Sequence, residues 1–250
     1  MDSGSAPRVF QHILLPETSS TNDDCLRLAD ASAPDGTVVR ALNQTSGRGR
    51  GARSWFSRPE ASLTFSVLLR PEPQERPFLT RFALLGCLAL SRALFHNFSA
   101  EARIKWPNDV LLAGKKVCGV LTETLWQNEV ASALVLGMGV NLTEDALPPQ
   151  AAAIFPAGSL EGQAGIRVSP QDLLEMLLLE LDGARKELPN PGFITEVNAR
   201  MAFRGEWVNL RKYEDAPLRA RPICVDEDGS LLAEGEDGRI SRFYSAEISS

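Results

Sequence analysis

The chain has 250 residues, 44% apolar and 23% charged, and its 26 Lys plus Arg against 32 Asp plus Glu leave a net charge of −6. That length holds one large domain, or one plus a small module, and the acidic balance argues against a nucleic-acid coat protein, whose phosphate affinity needs excess positive charge. Cys25, Cys87, Cys118 and Cys224 are widely spaced, without a C-x-x-C pattern or a signal peptide, and read as reduced thiols of a cytoplasmic protein; His12 and His96 are too far apart in sequence to suggest a zinc site or a histidine-based triad.

In chain order, Val9–Leu15 reads as a first strand. Ser19-Ser20-Thr21-Asn22-Asp23-Asp24 then opens a helix, with hydroxyls for the cap and acids to meet the dipole, and Leu26, Leu28 and Ala29 form its apolar side. Pro34-Asp35-Gly36 is a turn, Thr37–Leu42 a strand, and Leu63–Leu69 another. Phe78–Phe98 has the length and apolar density of a buried helix; its longest apolar run, Phe82–Leu90, is too short to span a bilayer. Arg103–Trp106 reads as a strand, and Val110–Leu112 and Lys116–Leu121 as a hairpin around Ala113-Gly114-Lys115. Ala133–Val140 is a further strand, residues 143–168 a surface loop, and Asp172–Leu188 a helix started by Ser169-Pro170. A shorter helix follows Pro191-Gly192. From residue 203 the texture changes to short strands, Trp207–Leu210, Leu218–Val225, Leu231-Leu232 and Arg239–Tyr244, with hairpin signals at Asp228-Gly229 and Asp237-Gly238. The boundaries drawn are 1–202 and 203–250, the second a small β-barrel module.

Four segments carry candidate chemistry. Gly47-Arg48-Gly49-Arg50-Gly51-Ala52-Arg53-Ser54-Trp55 is basic in an acidic chain. Its guanidinium forks suit phosphates and carboxylates, and its glycines let the backbone approach closely. It matches neither a P-loop nor a dinucleotide fingerprint; a solvated basic turn is the alternative. Trp55 is either a purine-stacking platform or a core residue. Lys105-Trp106-Pro107-Asn108-Asp109 places polar groups at a strand end, or is a plain corner. In Gly114-Lys115-Lys116-Val117-Cys118-Gly119 an inward lysine would need an anionic partner, such as a bound carboxylate or phosphate; a solvated pair is the alternative. Gly137-Met138-Gly139-Val140-Asn141 allows close ligand approach, and Asn141 could read an adenine edge.

Taken in order, Ser20-Thr21-Asn22, Gln44, the Gly-Arg-Gly-Arg loop with Trp55, Lys105-Trp106-Pro107-Asn108-Asp109, Lys116 before Gly119, and Gly137-x-Gly-x-Asn141 resemble the biotin–protein ligase family over residues 10–247. The resemblance implies an α+β fold: a class II synthetase-like mixed sheet with helices, plus an SH3-like C-terminal barrel. It implies that biotin and ATP form biotinyl-5′-AMP and pyrophosphate, and that a lysine of a biotin carboxyl carrier protein, of acetyl-CoA carboxylase or a related carboxylase, then takes the biotin. By that resemblance Ser20, Thr21, Asn22, Gln44, Arg48, Gly49, Arg50, Lys116 and Gly119 bind biotin or its adenylate. Trp55, Asn108 and Asn141 bind the nucleotide, and Lys116, Arg48, Arg50 and Lys105 supply the catalytic charge. Magnesium would accompany the triphosphate, with no protein ligand assigned and Asn108 or Asp109 as the groups placed to help hold it.

The loop departs from many members at Gly51-Ala52-Arg53-Ser54. The few residues before the first strand leave no helix-turn-helix, so a ligase without a DNA-binding role is expected. No membrane partner is expected, and a homodimer is an open expectation. A lipoate or octanoate ligase is the competing enzyme reading, and a nucleic-acid or phosphopeptide module the competing binding reading.

Overall fold

The computed structural model describes residues 9–51, 53–148, 155–212 and 216–249. The predictions touching Ala52, residues 149–154, 213–215 and the two termini lie in part outside these residues. The first sheet contains β1 (Gln11–Thr18), β2 (Thr37–Gln44), β3 (Ser62–Leu69), β4 (Arg103–Lys105), β5 (Asp109–Leu112), β6 (Lys115–Gln127) and β7 (Val130–Asn141). Their spatial order is β1-β2-β3-β7-β6-β5-β4. β1 and β2 are parallel and every other pair antiparallel. The helices among the described residues are α1 (Thr21–Asp30), α2 (Phe82–Phe98), α3 (Leu160–Ala164), α4 (Pro170–Glu187) and α5 (Pro191–Ala199). A second, antiparallel sheet holds β8 (Val208–Arg211), β9 (Leu218–Val225), β10 (Leu231–Gly235), β11 (Ile240–Phe243) and β12 (Glu247–Ser249), in the order β11-β10-β9-β8-β12. The expected α+β architecture, a mixed sheet with helices followed by a small C-terminal β module, is what the chain forms; the module's strand pairing runs in a line from β11 to β12.

β-strand alternation divides the first sheet into two faces. Leu63, Phe65, Val67 and Leu69 of β3 join the main core under α2 and α4, together with Leu84, Leu88, Leu173 and Leu177. On the other face Val39, Leu68, Ala133 and Val135 meet Cys25 and Ala29 of α1 in a smaller cluster. α2 is apolar on nearly every side because it is buried on nearly every side. The stretch Arg76–Phe98 is apolar enough by composition to cross a bilayer, at a mean hydropathy of 1.6, yet 67% of that window is buried in the protein. Val208, Leu210, Ala220, Val225 and Phe243 of the second sheet belong to the same core cluster as the first.

The differences from the sequence reading have local causes. The first strand is shifted toward its C-terminus, ending at Thr18, where backbone pairing with Gln44 of β2 persists. Ser20 stands at the N-cap of α1, but its side chain makes no capping bond. Arg76–Arg81 is a 3₁₀ turn broken at Phe78, so the helix proper starts at Phe82. Trp106 lies outside β4. β6 and β7 are each longer than predicted and meet at Asn128-Glu129, both with positive φ. The expected surface loop 143–168 contains a 3₁₀ turn at Glu144–Ala146 and α3, which Ser159 caps by accepting from Gly162 N. Ser159 and Leu160 are fully buried. β12 was not legible in the sequence.

Candidate active site

The face of the first sheet that carries α1 changes character along its strands. Beneath the C-terminal half of α1 it is apolar. Where α1 begins, it becomes small and polar: Ser66 of β3 pairs with Gly137 of β7, which pairs with Leu121 of β6. One row further on, Thr64, Gly139, Gly119, Asp109 and Lys105 follow one another across β3, β7, β6, β5 and β4. Directly paired antiparallel residues present side chains to the same face. Motifs far apart in sequence therefore fall into one line.

The glycines in that line are floor, because side chains already lie on them. A Cβ on Gly139 would come within 2.6 Å of Trp55 Cζ2, and one on Gly119 within 3.0 Å of Trp55 Cζ3. A Cβ on Gly137 would meet Asn22 Cγ at 2.9 Å. Trp55 is delivered by the basic loop, which folds back on itself: Trp55 N donates to Gly47 O at 2.7 Å and Gly49 N to Arg53 O at 2.6 Å. The Trp55 Nε1–H is buried without a partner. Cavities of about 240 Å³, between β1 and α4, and about 490 Å³, beside Leu142 and Ile166, lie away from this floor.

At the start of α1 the polar side chains bind one another. Thr21 donates its N–H, at 2.8 Å, and its hydroxyl, at 3.1 Å, to Gln44 Oε1. Ser66 Oγ lies 2.6 Å from Asn22 Oδ1 and 2.7 Å from Thr21 Oγ1. Asn22 Nδ2 donates to Glu123 Oε2 at 2.7 Å. These contacts fix the amide of Asn22, oxygen toward Ser66 and nitrogen toward Glu123. They create a cluster of neutral donors and acceptors beside the glycine floor.

At the other end of the row Asp109 is held between two lysines. Lys105 Nζ donates to Oδ2 at 2.8 Å, and Lys116 Nζ lies 2.6 Å from Oδ1. Oδ1 and Lys116 thus form a close ion pair. Burial pushes the Asp109 carboxyl up, but Lys116 and Lys105 outweigh it and hold the group below the usual carboxylate range. Lys105 is fully buried, with the Phe155 ring 5.0 Å away; Lys116 is only partly exposed, 5.6 Å from the Trp55 ring. The anion that Lys116 was expected to require is thus supplied in part by Asp109.

The arginines of the loop diverge. Arg48 pairs with Asp23 of α1 and Glu123 of β6, each at 2.7 Å. Arg50 turns to the second sheet, donating to Ser245 Oγ at 3.0 Å and Ala246 O at 3.3 Å, with Glu247 at 3.4 Å. Arg53 also pairs with Glu247. Of the expected nucleotide contacts, Asn108 Nδ2 is engaged by Val120 O at 2.6 Å and Asn141 Nδ2 by Gly158 O at 3.0 Å. Both amides brace loops around the site in this conformation. Ser20 is buried at its edge. Sequence reasoning missed Ser66, Glu123 and Asp23. The signal for the first was the alternation Ser62-x-Thr64-x-Ser66 inside an apolar strand, and for Glu123 its spacing of four from Gly119 on one strand.

Residues 14–141 match the family model described as Biotin/lipoate A/B protein ligase family. The chain is 32% identical over 238 residues to the biotin–[acetyl-CoA-carboxylase] ligase of Paracoccus denitrificans, covering 90% of this chain and 95% of that one. It is 35% identical over 227 residues to the enzyme of the same name from Mycobacterium tuberculosis, covering 88% and 82%. Its fold superposes on the biotin protein ligase of Aquifex aeolicus, solved in complex with biotin and ATP, with a TM-score of 0.79 at 30% identity, over 96% of this chain and 97% of that one.

Proposed function

The chain belongs to the biotin/lipoate A/B protein ligase family, and from that premise we infer an ATP-dependent biotin–protein ligase. The biotin carboxylate attacks the α-phosphorus of ATP. A C(O)O–P bond forms, the bond to the β-phosphate oxygen breaks, and pyrophosphate leaves. The ε-amine of a lysine on a biotin carboxyl carrier protein then attacks the carbonyl carbon, forming the amide, losing a proton and releasing AMP.

The observation that carries this reading is the line from neutral amides to cations across one glycine floor. Thr21, Asn22, Gln44 and Ser66 offer paired donors and acceptors of the kind a ureido ring demands. Lys116 and Lys105 stand at the far end of the row, where a carboxylate and a phosphate would meet. Both steps develop charge on phosphate oxygens, so positioning and fixed positive charge are the main requirements. Lys116, less buried than Lys105, is the cation we assign to the carboxylate and α-phosphate; Lys105 sets the charge and position of Asp109. Arg48, with Gly49, closes over the biotin side. Arg50 ties the loop to the C-terminal module, and Trp55 forms the wall between biotin and adenine. We propose that magnesium arrives with ATP: Asp109 is occupied by two ammonium groups, and among the described residues no group of three His, Cys, Asp or Glu could hold a metal. We place the protein in a reducing cytoplasm, a reading supported by four free cysteines.

A lipoate ligase would need an apolar channel in place of the polar cluster. Mass spectrometry after incubation with biotin and MgATP should find bound biotinyl-5′-AMP, and excess lipoate should not displace it. Absence of the adenylate together with absence of biotin binding by calorimetry would refute the assignment.

A further inference from the structure

One turn of the second sheet makes three directed contacts with the first domain. Between β9 and β10, three consecutive backbone carbonyls each accept from a different side chain of the first domain. Glu227 O takes Arg81 Nε at 2.7 Å, Asp228 O takes Thr80 Oγ1 at 2.5 Å, and Gly229 O takes the Trp106 indole N–H at 3.0 Å. Arg81 and Trp106 are 2% and 1% exposed, and the Trp106–Gly229 bond is buried and shielded from competing water, whereas the Thr80 bond lies at the surface. The turn is rigid on its own account. Asp226 N donates to Ser230 O at 2.8 Å and Gly229 N to Asp226 O at 2.9 Å. Asp228 Oδ1 accepts from Ser230 N at 2.9 Å. Arg242 of β11 clamps the outside, reaching Asp226 at 2.6 Å and Asp228 at 3.0 Å. Gly229 is required there: its φ is +81°, and a Cβ would press on Thr80 Oγ1 at 3.1 Å.

Trp106 is the neighbour of Lys105, and the corner Lys105–Asp109 holds the ion pair at the end of the catalytic row. A buried indole N–H needs a partner, and this one finds it on the other sheet. A directional hydrogen bond from a rigid turn fixes where the corner stands, which apolar packing alone would leave looser. Resting on the ligase reading above, we propose that the turn Asp226–Ser230 is a positioning element of the adenylation site. It acts through Trp106 to hold Lys105 and Asp109 in place for Lys116, so the C-terminal module takes part in the first chemical step without touching substrate.

The test uses the full chain with Trp106→Phe, Arg242→Gln, Arg242→Lys and the double variant Trp106→Phe/Arg242→Gln. Biotin-dependent pyrophosphate release and amide hydrogen exchange over residues 104–112 are read in each. Trp106→Phe should lower kcat of adenylation about tenfold, the scale of one buried acceptor left unpaired, with biotin KM changed less than about twofold. Arg242→Gln, on an exposed side chain of the other sheet, should lower the same kcat and speed exchange at 104–112, and Arg242→Lys should restore most of both. The double variant should be no worse than Trp106→Phe alone, since both act on one path. Unchanged kcat and exchange in Arg242→Gln would overturn the proposal, as would additive losses in the double variant. So would a Trp106→Phe protein that loses only thermal midpoint. If Trp106→Phe does not fold, the Arg242 pair still decides. A wild-type chain that makes no biotinyl adenylate would sink the ligase reading alone, and the exchange arm would still decide the coupling.

Discussion

Gly139→Ala adds one methyl group to the floor of the site, and its consequence can be worked from distances. The new Cβ would stand 2.6 Å from Trp55 Cζ2, against an ordinary contact of 3.4 Å, a shortfall of 0.8 Å, and Cε2 lies closer still. Gly139 is held on both sides by Thr64 and Gly119 in the sheet, so the strand cannot yield and the indole must retreat by about 1 Å; a misplacement of that size costs on the order of 10²-fold in rate. Overpacking should cost about 1–3 kcal/mol of stability, far less than unfolding the chain. Gly183→Ala is the matched control: it lies in α4 with nothing within 4 Å of the added Cβ, and should stabilise by roughly 0.5–1 kcal/mol with activity unchanged. The assay is pyrophosphate release, alongside urea unfolding of both variants. Gly139→Ala with more than half of wild-type kcat/KM would refute the assignment of Gly139 as floor beneath a functional indole.

Further outcomes follow from the ion pairs of the site and from the burial of the thiols. Lys105→Met removes a fully buried ammonium but leaves Asp109 paired with Lys116, so in urea unfolding it should cost less than the roughly 3–5 kcal/mol of a buried carboxylate left wholly unpaired. Lys116→Met removes a cation that is 24% exposed and likewise leaves Asp109 one partner, so it should cost about 1 kcal/mol while abolishing adenylate formation; a variant that still forms adenylate would contradict this role. Glu123→Gln removes the carboxylate that orients Asn22 and holds Arg48, and biotin KM should rise about tenfold, as when a charged hydrogen-bond partner is lost; an unchanged KM would return Glu123 to a surface role. Burial pushes the Cys25 thiol up to about 12 from 9.0 and raises Cys87 and Cys118 as well. The folded pKa lies above the unfolded one, so the Cys25 contribution is full below pH 9 and is lost as pH rises toward 12. At pH 8 iodoacetamide should label the half-exposed Cys224 and spare the other three, which peptide mapping would check.

The sequence carried the order of the motifs and the class of the fold, because apolar periodicity and glycine placement are local signals. That one lysine of Lys115-Lys116 could face inward was legible in the strand; that it is Lys116 came from the family resemblance. What could not be read was its partner: Asp109 reaches Lys116 only because β5 pairs with β6 at Asp109–Gly119, and register is a property of two strands together. The same limit hid Ser66 and Glu123, which matter through Asn22 on another element. It also hid the separation of Arg48 from Arg50, two residues apart, which turn toward opposite domains. The expected surface loop after Asn141 was misjudged on composition. Ala and Pro suggested a solvated segment, whereas Gly158 takes a hydrogen bond from Asn141 and Lys116 N donates to Pro156 O, stitching that segment to the site.

The Lys105–Asp109–Lys116 group holds two cations against one carboxylate. It is one negative charge short of balance, and the deficit is shared through Asp109. On the proposed assignment, biotin's carboxylate, the phosphates of ATP and the departing pyrophosphate would be successive counter-ions of one surplus charge. Each arrival is favoured by the same imbalance, and each departure must restore it. Turnover in such a site is a relay of anions, and its pace depends on how readily each one gives way to the next.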